Sequence, residues 1–114
     1  MKTRSKTFLV EGEMPWEELG GGVRRQIMGY DGQVMAVKVE FEKGAVGTPH
    51  VHYHSQTSYV VSGSFEITIN GESRILSAGD GFYVEPDAMH GAKCIEPGIL
   101  LDVFSPMRAD FLKK

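Results

Sequence analysis

Three of the four histidines in the chain lie within five residues, in the stretch HVHYHSQTSY from position 50 to position 59. His50, His52 and Gln56 stand at even spacings, so in an extended strand their side chains would point to one face. Two imidazoles on one strand face can reach a common metal ion, and a third ligand, Gln56, would return on the neighbouring strand just after a turn. Because this stretch contains no acidic residue, no neighbouring carboxylate is available to pair with the imidazoles.

The alternative is a solvent-exposed histidine cluster, which the three neighbouring histidines alone would favour. Residues further along the chain reverse that choice. The fourth histidine, His90, follows another predicted strand, and Gly44 and Gly63 stand on either side of the cluster. Three imidazoles and one oxygen donor suit one divalent ion such as Ni, Zn, Fe, Mn or Co. The sequence therefore favours a metal site.

A second group of chemically capable residues lies in GILLDVFSPMR, residues 98–108. Alternation along this predicted strand places Leu100, Asp102 and Phe104 on one face. Because an aspartate is costly to bury among apolar residues, we expect Asp102 to line the interior beside the metal as an acid/base group. The alternative is a structural ion pair between Asp102 and one of the arginines at positions 24, 25 and 108.

Two neighbours of Asp102 have both a functional and a structural interpretation. The guanidinium of Arg108 could bind a substrate carboxylate through two parallel hydrogen bonds, or it could be an ordinary surface arginine. Phe104 could shape and dry a pocket, or it could be a core residue.

Composition limits the class of protein. The chain has 114 residues, of which 41% are hydrophobic, and this predicts one soluble globular domain over residues 1–114. A net charge of -3 argues against nucleic acid as a partner. A single cysteine, Cys94, is typical of a reducing compartment, and the apolar run Phe8–Val10 is too short for a signal peptide or a membrane span. We therefore expect a cytoplasmic protein without a membrane partner.

The segments that must position these residues are predicted to be short strands. Fourteen glycines imply many tight turns, and helical periodicity is scarce. The clearest element is a hairpin over residues 64–76, where Asn70-Gly71 suits a two-residue turn. Further strands are predicted within 33–41, 77–86 and 98–106, together with a short helical turn at Trp16–Leu19. This pattern favours an all-β fold, a small sandwich or barrel.

The spacing of the candidate ligands resembles the two motifs of the cupin superfamily, G-x5-H-x-H-x3-4-E-x6-G and G-x5-P-x-G-x2-H-x3-N. The first matches at Gly44, His50, His52 and Gly63, with Gln56 where most cupins carry glutamate. The second matches at Gly79 and His90, whereas Glu85, Asp87 and Cys94 replace the usual Pro, Gly and Asn. The resemblance implies a single cupin-type β-barrel or jelly roll, with an N-terminal extension over 1–30 and a barrel core over 40–106.

The neutral side chain at position 56 has a chemical consequence. An amide in place of a carboxylate leaves the metal with its full +2 charge, and so with stronger Lewis acidity toward an anionic substrate. It also makes the site less suited to redox chemistry.

Three longer segments narrow the resemblance. They are PWEELGGGVRRQIMGY, GAVGTPHVHYHSQTSYVVSG and LLDVFSPMRADFL, and they resemble the small single-domain cupins of pectin and alginate breakdown known as the KdgF family. The resemblance runs from about Pro15 to Leu112, and Gln56 fits the pattern of that family. It implies metal ligands at His50, His52, Gln56 and His90, and active-site residues at Asp102, Phe104 and Arg108.

The activity that this resemblance implies is a metal-dependent isomerisation or intramolecular elimination. The enzyme would convert 4,5-unsaturated monouronates, released by polysaccharide lyases, into the linear 5-keto-4-deoxyuronate. Two alternatives stay open: another metal-dependent cupin enzyme, such as a dioxygenase or a sugar isomerase, and a non-enzymatic cupin that binds a sugar acid. We also expect a homodimer, because the segment KTFLVEGEMPW at residues 6–16 would suit pairing between two copies.

Overall fold

The computed structural model describes residues 3–112, and its regular secondary structure is almost entirely antiparallel strands. The strands are β1 (Glu17–Gly20), β2 (Val23–Asp31), β3 (Val34–Phe41), β4 (Val46–His50), β5 (Ser55–Ile69), β6 (Glu72–Ser77), β7 (Gly81–Val84) and β8 (His90–Ser105). Two short 3₁₀ turns lie at Glu11–Glu13 and Ala109–Leu112. The prediction of an all-β fold is confirmed. In the described part of the chain, no helix has the length and apolar character needed to cross a membrane.

The sheet is organised around its two longest strands, β5 and β8, which pair with each other along most of their length. The strand order is β1-β2-β3-β8-β5-β6, and the short strands β4 and β7 pair with β8 and β5 respectively. One half of β8 pairs with β3 and the other half with β4. Because each long strand serves two sets of neighbours, the sheet folds over on itself and encloses an interior.

The apolar face of this interior follows the alternation expected from the sequence. Met35 and Val37 on β3 are fully buried, and Leu100 and Phe104 on β8 are nearly so. A second part of the core surrounds Phe65, whose ring packs edge-on against Phe41 at 5.1 Å. Cys94 is buried in the same cluster.

The predicted hairpin is confirmed in register as well as in place. Ile69 of β5 pairs with Glu72 of β6, and the two residues between them, Asn70 and Gly71, have φ angles of 49° and 84°. Positive φ at both central positions is the geometry that Asn-Gly favours.

The predicted helical turn at Trp16–Leu19 is wrong. Residues 17–20 form β1, which pairs with β2, and the side chain of Glu17 accepts a hydrogen bond from Arg25 across the pair at 2.8 Å. The three glycines at positions 20–22 all adopt positive φ, so they form the tight turn of a hairpin. Residues 17–31, interpreted from sequence as part of an extension, therefore form the first two strands of the sheet.

Gly63 marks the bend in the long strand pair and supports a stability prediction. Its φ is +78°, and a Cβ atom there would lie 2.5 Å from the carbonyl oxygen of Pro97, which is backbone and cannot move aside. Gly63→Ala should therefore lower the free energy of unfolding by about 3 kcal/mol, from backbone strain and overpacking together. Urea unfolding followed by circular dichroism measures this.

Gly12→Ala is the matched control, because nothing lies within 4 Å of a Cβ atom at that glycine. We expect it to change stability by less than about 0.5 kcal/mol. Equal midpoints for the two variants would contradict the role of Gly63.

Candidate metal centre and adjoining pocket

Three histidines converge at one end of the interior. His50 is the last residue of β4, His90 is the first residue of β8, and the two are direct partners across the strand pair. His52 follows in the connection to β5. The ring centroids of His50 and His52 lie 4.3 Å and 4.8 Å from that of His90, and one ring nitrogen from each histidine lies within 4.8 Å of the others.

The expectation that His50 and His52 lie on one strand is wrong, although the histidines still meet. β4 ends at His50 because its partner β8 begins at His90. The chain must then turn to reach the other end of β8, where β5 starts with Ser55 opposite Ser105. His52 therefore approaches the group from a loop, not from the strand face that alternation predicts.

The hydrogen bonds of the three rings are those of metal-binding histidines. In each ring Nδ1–H donates to a backbone carbonyl: His50 to Thr48 at 2.9 Å, His90 to Ala88 at 2.9 Å, and His52 to the carbonyl of residue 54 at 3.1 Å. This leaves the lone pair on Nε2, and second partners of this kind orient histidines toward metals. The Nε2 atom of His90 is buried and has no hydrogen-bond partner within the described chain.

Burial also keeps two of these rings in the neutral form that a metal ligand requires. It lowers the pKa of His90 from 6.5 to about 4, and it lowers the pKa of His52 as well. Both imidazoles are therefore deprotonated at neutral pH without a metal to displace the proton. The donor set fits a borderline divalent cation, so these three histidines could hold one.

Gln56 is buried on β5 beside the histidines. Its Oε1 atom lies 3.0 Å from Nε2 of His52, and its Nε2 atom donates to Oγ of Ser58 at 2.9 Å. The amide oxygen therefore faces the histidine group and the amide nitrogen faces away from it. The amide oxygen lies beside the three imidazole nitrogens, in a position to act as a fourth donor.

Asp102 lies on the interior face of β8, directly opposite Ser58 of β5. The hydroxyl of Ser58 donates to Oδ1 of Asp102 at 2.6 Å. Burial raises the pKa of the Asp102 carboxyl from 3.8 to about 6, against the opposing effects of the Ser58 hydrogen bond and nearby positive charge. A carboxyl group with this pKa can exchange a proton near neutral pH.

The structural alternative for Asp102 was an ion pair with an arginine. The three candidate arginines have other acidic partners: Arg24 pairs with Glu40, Arg25 with Glu17, and Arg108 with Asp110. The nearest hydrogen-bond donor to Asp102 is the neutral hydroxyl of Ser58.

Arg108 is not a freely exposed arginine. Only 13% of its side chain is exposed, and its guanidinium carbon lies 4.3 Å from the ring centroid of Phe111 and 5.1 Å from that of Phe104. Nε and Nη2 both donate to the carboxylate of Asp110, at 3.1 Å and 3.0 Å. This ion pair uses one edge of the guanidinium and leaves the Nη1 side of the fork unused by Asp110.

All of the predicted site residues except His52 line one pocket of about 260 Å³, to which Ser58 does not contribute. Its walls are mainly apolar, and its polar lining includes His50, Gln56, His90, Asp102 and Arg108, with Phe104 among its aromatic residues. An apolar pocket with a few converging polar groups is the usual form of a small-molecule site. A larger depression of about 560 Å³, near Arg24 and Glu40, contains none of the candidate residues.

Two further residues near the centre contact the candidate ligands. The cupin resemblance implies that His54 lies in the turn between two strands, either exposed or behind the ligands; it lies in that turn and is buried, and its ring stacks on Tyr53 at 4.1 Å. Its backbone carbonyl is the acceptor for His52. Ser58 was not singled out at all, although period-two alternation from Gln56 along β5 would have placed it on the same inward face.

Comparison with known proteins gives a consistent result. The Cupin domain family model matches residues 37–104. The pectin degradation protein KdgF of Dickeya dadantii (strain 3937) is 49% identical over 109 residues, which cover 94% of this chain and 99% of that protein.

Two solved structures are similar over nearly the whole chain. An RmlC-like cupin from Shewanella frigidimarina NCIMB 400 has a TM-score of 0.94 and 46% identity, covering 96% of this chain and 99% of its own. The structure of KdgF from Halomonas sp. has a TM-score of 0.89 and 43% identity, covering 94% and 99% respectively.

Proposed function

This chain belongs to the cupin superfamily and, within it, to the KdgF family, and from that premise we propose that it is a metal-dependent enzyme of uronate catabolism. It converts 4,5-unsaturated monouronates to the linear 5-keto-4-deoxyuronate. One observation carries the proposal: in a chain 49% identical to a pectin degradation protein, two of the three clustered histidines, His50 and His90, line one pocket together with Asp102.

The metal would be held by His50, His52 and His90, with the amide oxygen of Gln56 as the fourth ligand. All four ligands are neutral, so the cation retains its full charge, and Ni, Zn, Fe, Mn and Co all suit this set. When bound, the cation supplies positive charge for the substrate carboxylate and for the oxygen on which negative charge develops.

Asp102 moves the proton in this scheme. The substrate is a cyclic hemiacetal whose ring oxygen is also an enol ether oxygen. The carboxylate removes the proton of the anomeric hydroxyl; the C1–O5 bond breaks, C1 becomes the aldehyde carbon, and the electron pair passes to the ring oxygen. The resulting enolate takes the proton back at C4 and becomes the C5 ketone. Atoms and charge balance, and no redox partner is required.

Arg108 and Phe104 position the substrate. Asp110 fixes one edge of the guanidinium, and the remaining N–H groups are available for the substrate carboxylate. Phe104 packs under the guanidinium and against the ring of His52, at 5.6 Å between centroids. It closes one wall of the pocket and excludes water from the reacting centre.

Arg108→Lys tests the carboxylate contact. Lysine keeps the charge but loses the fork, so we expect KM to rise by about tenfold to a hundredfold with a much smaller change in kcat. Steady-state kinetics on the unsaturated monouronate measures both. Arg24→Lys, outside this pocket, is the matched control. An unchanged KM in Arg108→Lys would contradict the assignment.

The function itself is tested by the loss of absorbance of the 4,5-unsaturated uronate on freshly lyase-generated monouronate. Spontaneous opening gives the baseline. We expect a large acceleration that a chelator abolishes and added metal restores. No acceleration by metal-loaded protein would overturn the substrate assignment, and oxygen consumption or simple sugar-acid binding would then identify the dioxygenase or binding-protein alternatives.

The substrate source and the setting form part of the proposal. Unsaturation removes the configurations at C4 and C5 and leaves a difference at C2, away from the reacting enol ether, so we infer that monouronates from both pectin and alginate are accepted. The apolar side chains of Phe8 and Val10 are 83% and 50% exposed, which supports a homodimer that covers the segment at residues 6–16. Light scattering on the purified protein measures its mass. A cytoplasmic location agrees with the unpaired, buried Cys94.

A further inference from the structure

A continuous chain of hydrogen bonds joins the metal-binding group to Asp102. The amide nitrogen of Gln56 donates to Oγ of Ser58 at 2.9 Å, and that hydroxyl donates to Oδ1 of Asp102 at 2.6 Å. Gln56 and Ser58 are each only 5% exposed, so bulk water cannot readily replace either bond. Of the three residues joined by these hydrogen bonds, Ser58 alone has no role in the proposed function.

The single proton of the Ser58 hydroxyl determines the direction of every bond in the chain. A hydroxyl has one donor hydrogen, and a carboxylate can only accept, so Ser58 gives its hydrogen to Asp102. The oxygen of Ser58 is then an acceptor toward Gln56. Only the amide nitrogen of Gln56 can satisfy it, and the amide oxygen must face His52.

This orientation opposes the one that the local hydrogen bonds would otherwise select. His52 donates from Nδ1 to the carbonyl of residue 54, so its Nε2 atom carries a lone pair. Two lone-pair atoms, this nitrogen and Oε1 of Gln56, therefore face each other at 3.0 Å without a hydrogen between them. These two atoms could together hold a cation, which would remove the repulsion. Gln56 also has a weaker hydrogen-bonding contact with Asp102, which is the smallest of the effects on that carboxyl. Without Ser58, only this contact would oppose a flip of the amide that lets its nitrogen donate to His52 and blocks the ligand atom.

We propose that Ser58 is a positioning residue that holds the Gln56 amide with its oxygen toward the metal. For the same reason Ser58 favours glutamine over glutamate at position 56. The inference rests on the metal site of the proposed function, not on its substrate. A glutamate at 56 would place carboxylates on both sides of a hydroxyl that has one hydrogen. One of them would then be buried without its donor.

The test compares Ser58→Ala with Ser58→Thr by titration of the metal-free protein with Co²⁺, followed by visible absorption and calorimetry in the absence of substrate. Loss of an outer partner of a metal ligand costs about tenfold to a hundredfold in affinity. We expect that loss in Ser58→Ala and an affinity close to the wild-type value in Ser58→Thr, which keeps the hydroxyl.

The same substitution in a Gln56→Glu background distinguishes a role of Ser58 in orienting the amide from a role in packing. Because a carboxylate has two equivalent oxygens and cannot present a donor, Ser58→Ala in a Gln56→Glu background should leave Co²⁺ affinity unchanged or raise it. Equal losses in both backgrounds would show that Ser58 merely fills space and would overturn the inference, as would wild-type affinity in Ser58→Ala.

These outcomes are independent of the substrate assignment. If the protein fails to accelerate uronate opening while Ser58→Ala still loses Co²⁺ affinity in the Gln56 background alone, the proposed function is wrong and the role of Ser58 stands.

Discussion

Asp102→Asn is expected to lower kcat for uronate opening by about a thousandfold, the middle of the range for a positioned acid/base group. Asparagine has the same shape and can still accept the hydrogen bond from Ser58, so the pocket keeps its geometry. What is lost is the ability to take a proton from the substrate and return it. Steady-state kinetics with metal-saturated enzyme measures the effect.

The pH profile gives a second signature of the same residue. A base must be ionised, and burial raises the pKa of Asp102 to about 6. We therefore expect kcat/KM of the wild type to rise as pH increases toward 6 and to level off above it. A bound divalent cation stabilises the carboxylate and shifts the inflection to lower pH. Asp102→Asn should lose this inflection altogether.

As pH rises, the stability of the metal-free protein should fall, whereas the activity of the enzyme should rise. The folded-state pKa of Asp102 is raised, so its contribution to stability is present below its ordinary pKa of 3.8 and is lost as pH rises through about 6. At pH 8 the ionised carboxyl is a cost to the metal-free fold, of about 3 kcal/mol at most. Metal-free Asp102→Asn should consequently unfold at a higher urea concentration than the wild type at pH 8.

Asp87→Asn is the matched control for these experiments. Asp87 is exposed and has a φ of 66°, a conformation that asparagine adopts readily. It should leave the rate, the pH profile and the stability essentially unchanged. A wild-type rate in Asp102→Asn would remove Asp102 from the mechanism.

Local sequence patterns correctly predict the elements whose structure depends on residues close together in the sequence. The Asn70-Gly71 turn requires positive φ at two adjacent positions, and those two residue types adopt it readily. Leu100, Asp102 and Phe104 lie on one face as predicted, because β8 pairs with a strand on each side and its regular alternation is maintained. Of the candidate site residues, β8 carries His90, Asp102 and Phe104.

Other features depend on pairings between distant parts of the chain, which no local pattern reveals. β4 stops at His50 because β8 starts at His90, and this places His52 in a loop. Residues 17–20 are extended because β2 lies beside them, although a turn after a proline also suits a helix. A role for Ser58 becomes visible only because Asp102 lies opposite it on another strand.

His90→Ala should reduce the accelerated rate to the spontaneous one at ordinary metal concentrations. The imidazole is one of three that could hold the cation, and its Nε2 atom is buried with no hydrogen-bond partner in the part of the chain that the structure describes. Loss of a direct ligand should weaken Co²⁺ binding by more than the hundredfold or so that outer partners cost. Calorimetry measures affinity, and the absorbance assay measures rate.

His54→Asn provides the matched control because His54 is as buried as His90, at 5% exposed, yet its contacts with the ligand group are a backbone carbonyl that accepts from His52 and an edge-on ring contact with His52 at 5.4 Å. That carbonyl survives the substitution, so Co²⁺ affinity should be retained even if the fold is weakened. Excess metal should partly restore the rate of His90→Ala and should not improve His54→Asn. The reverse pattern, with metal lost in His54→Asn and kept in His90→Ala, would mean that the cation sits on the other side of His52, toward Arg108 and Asp110.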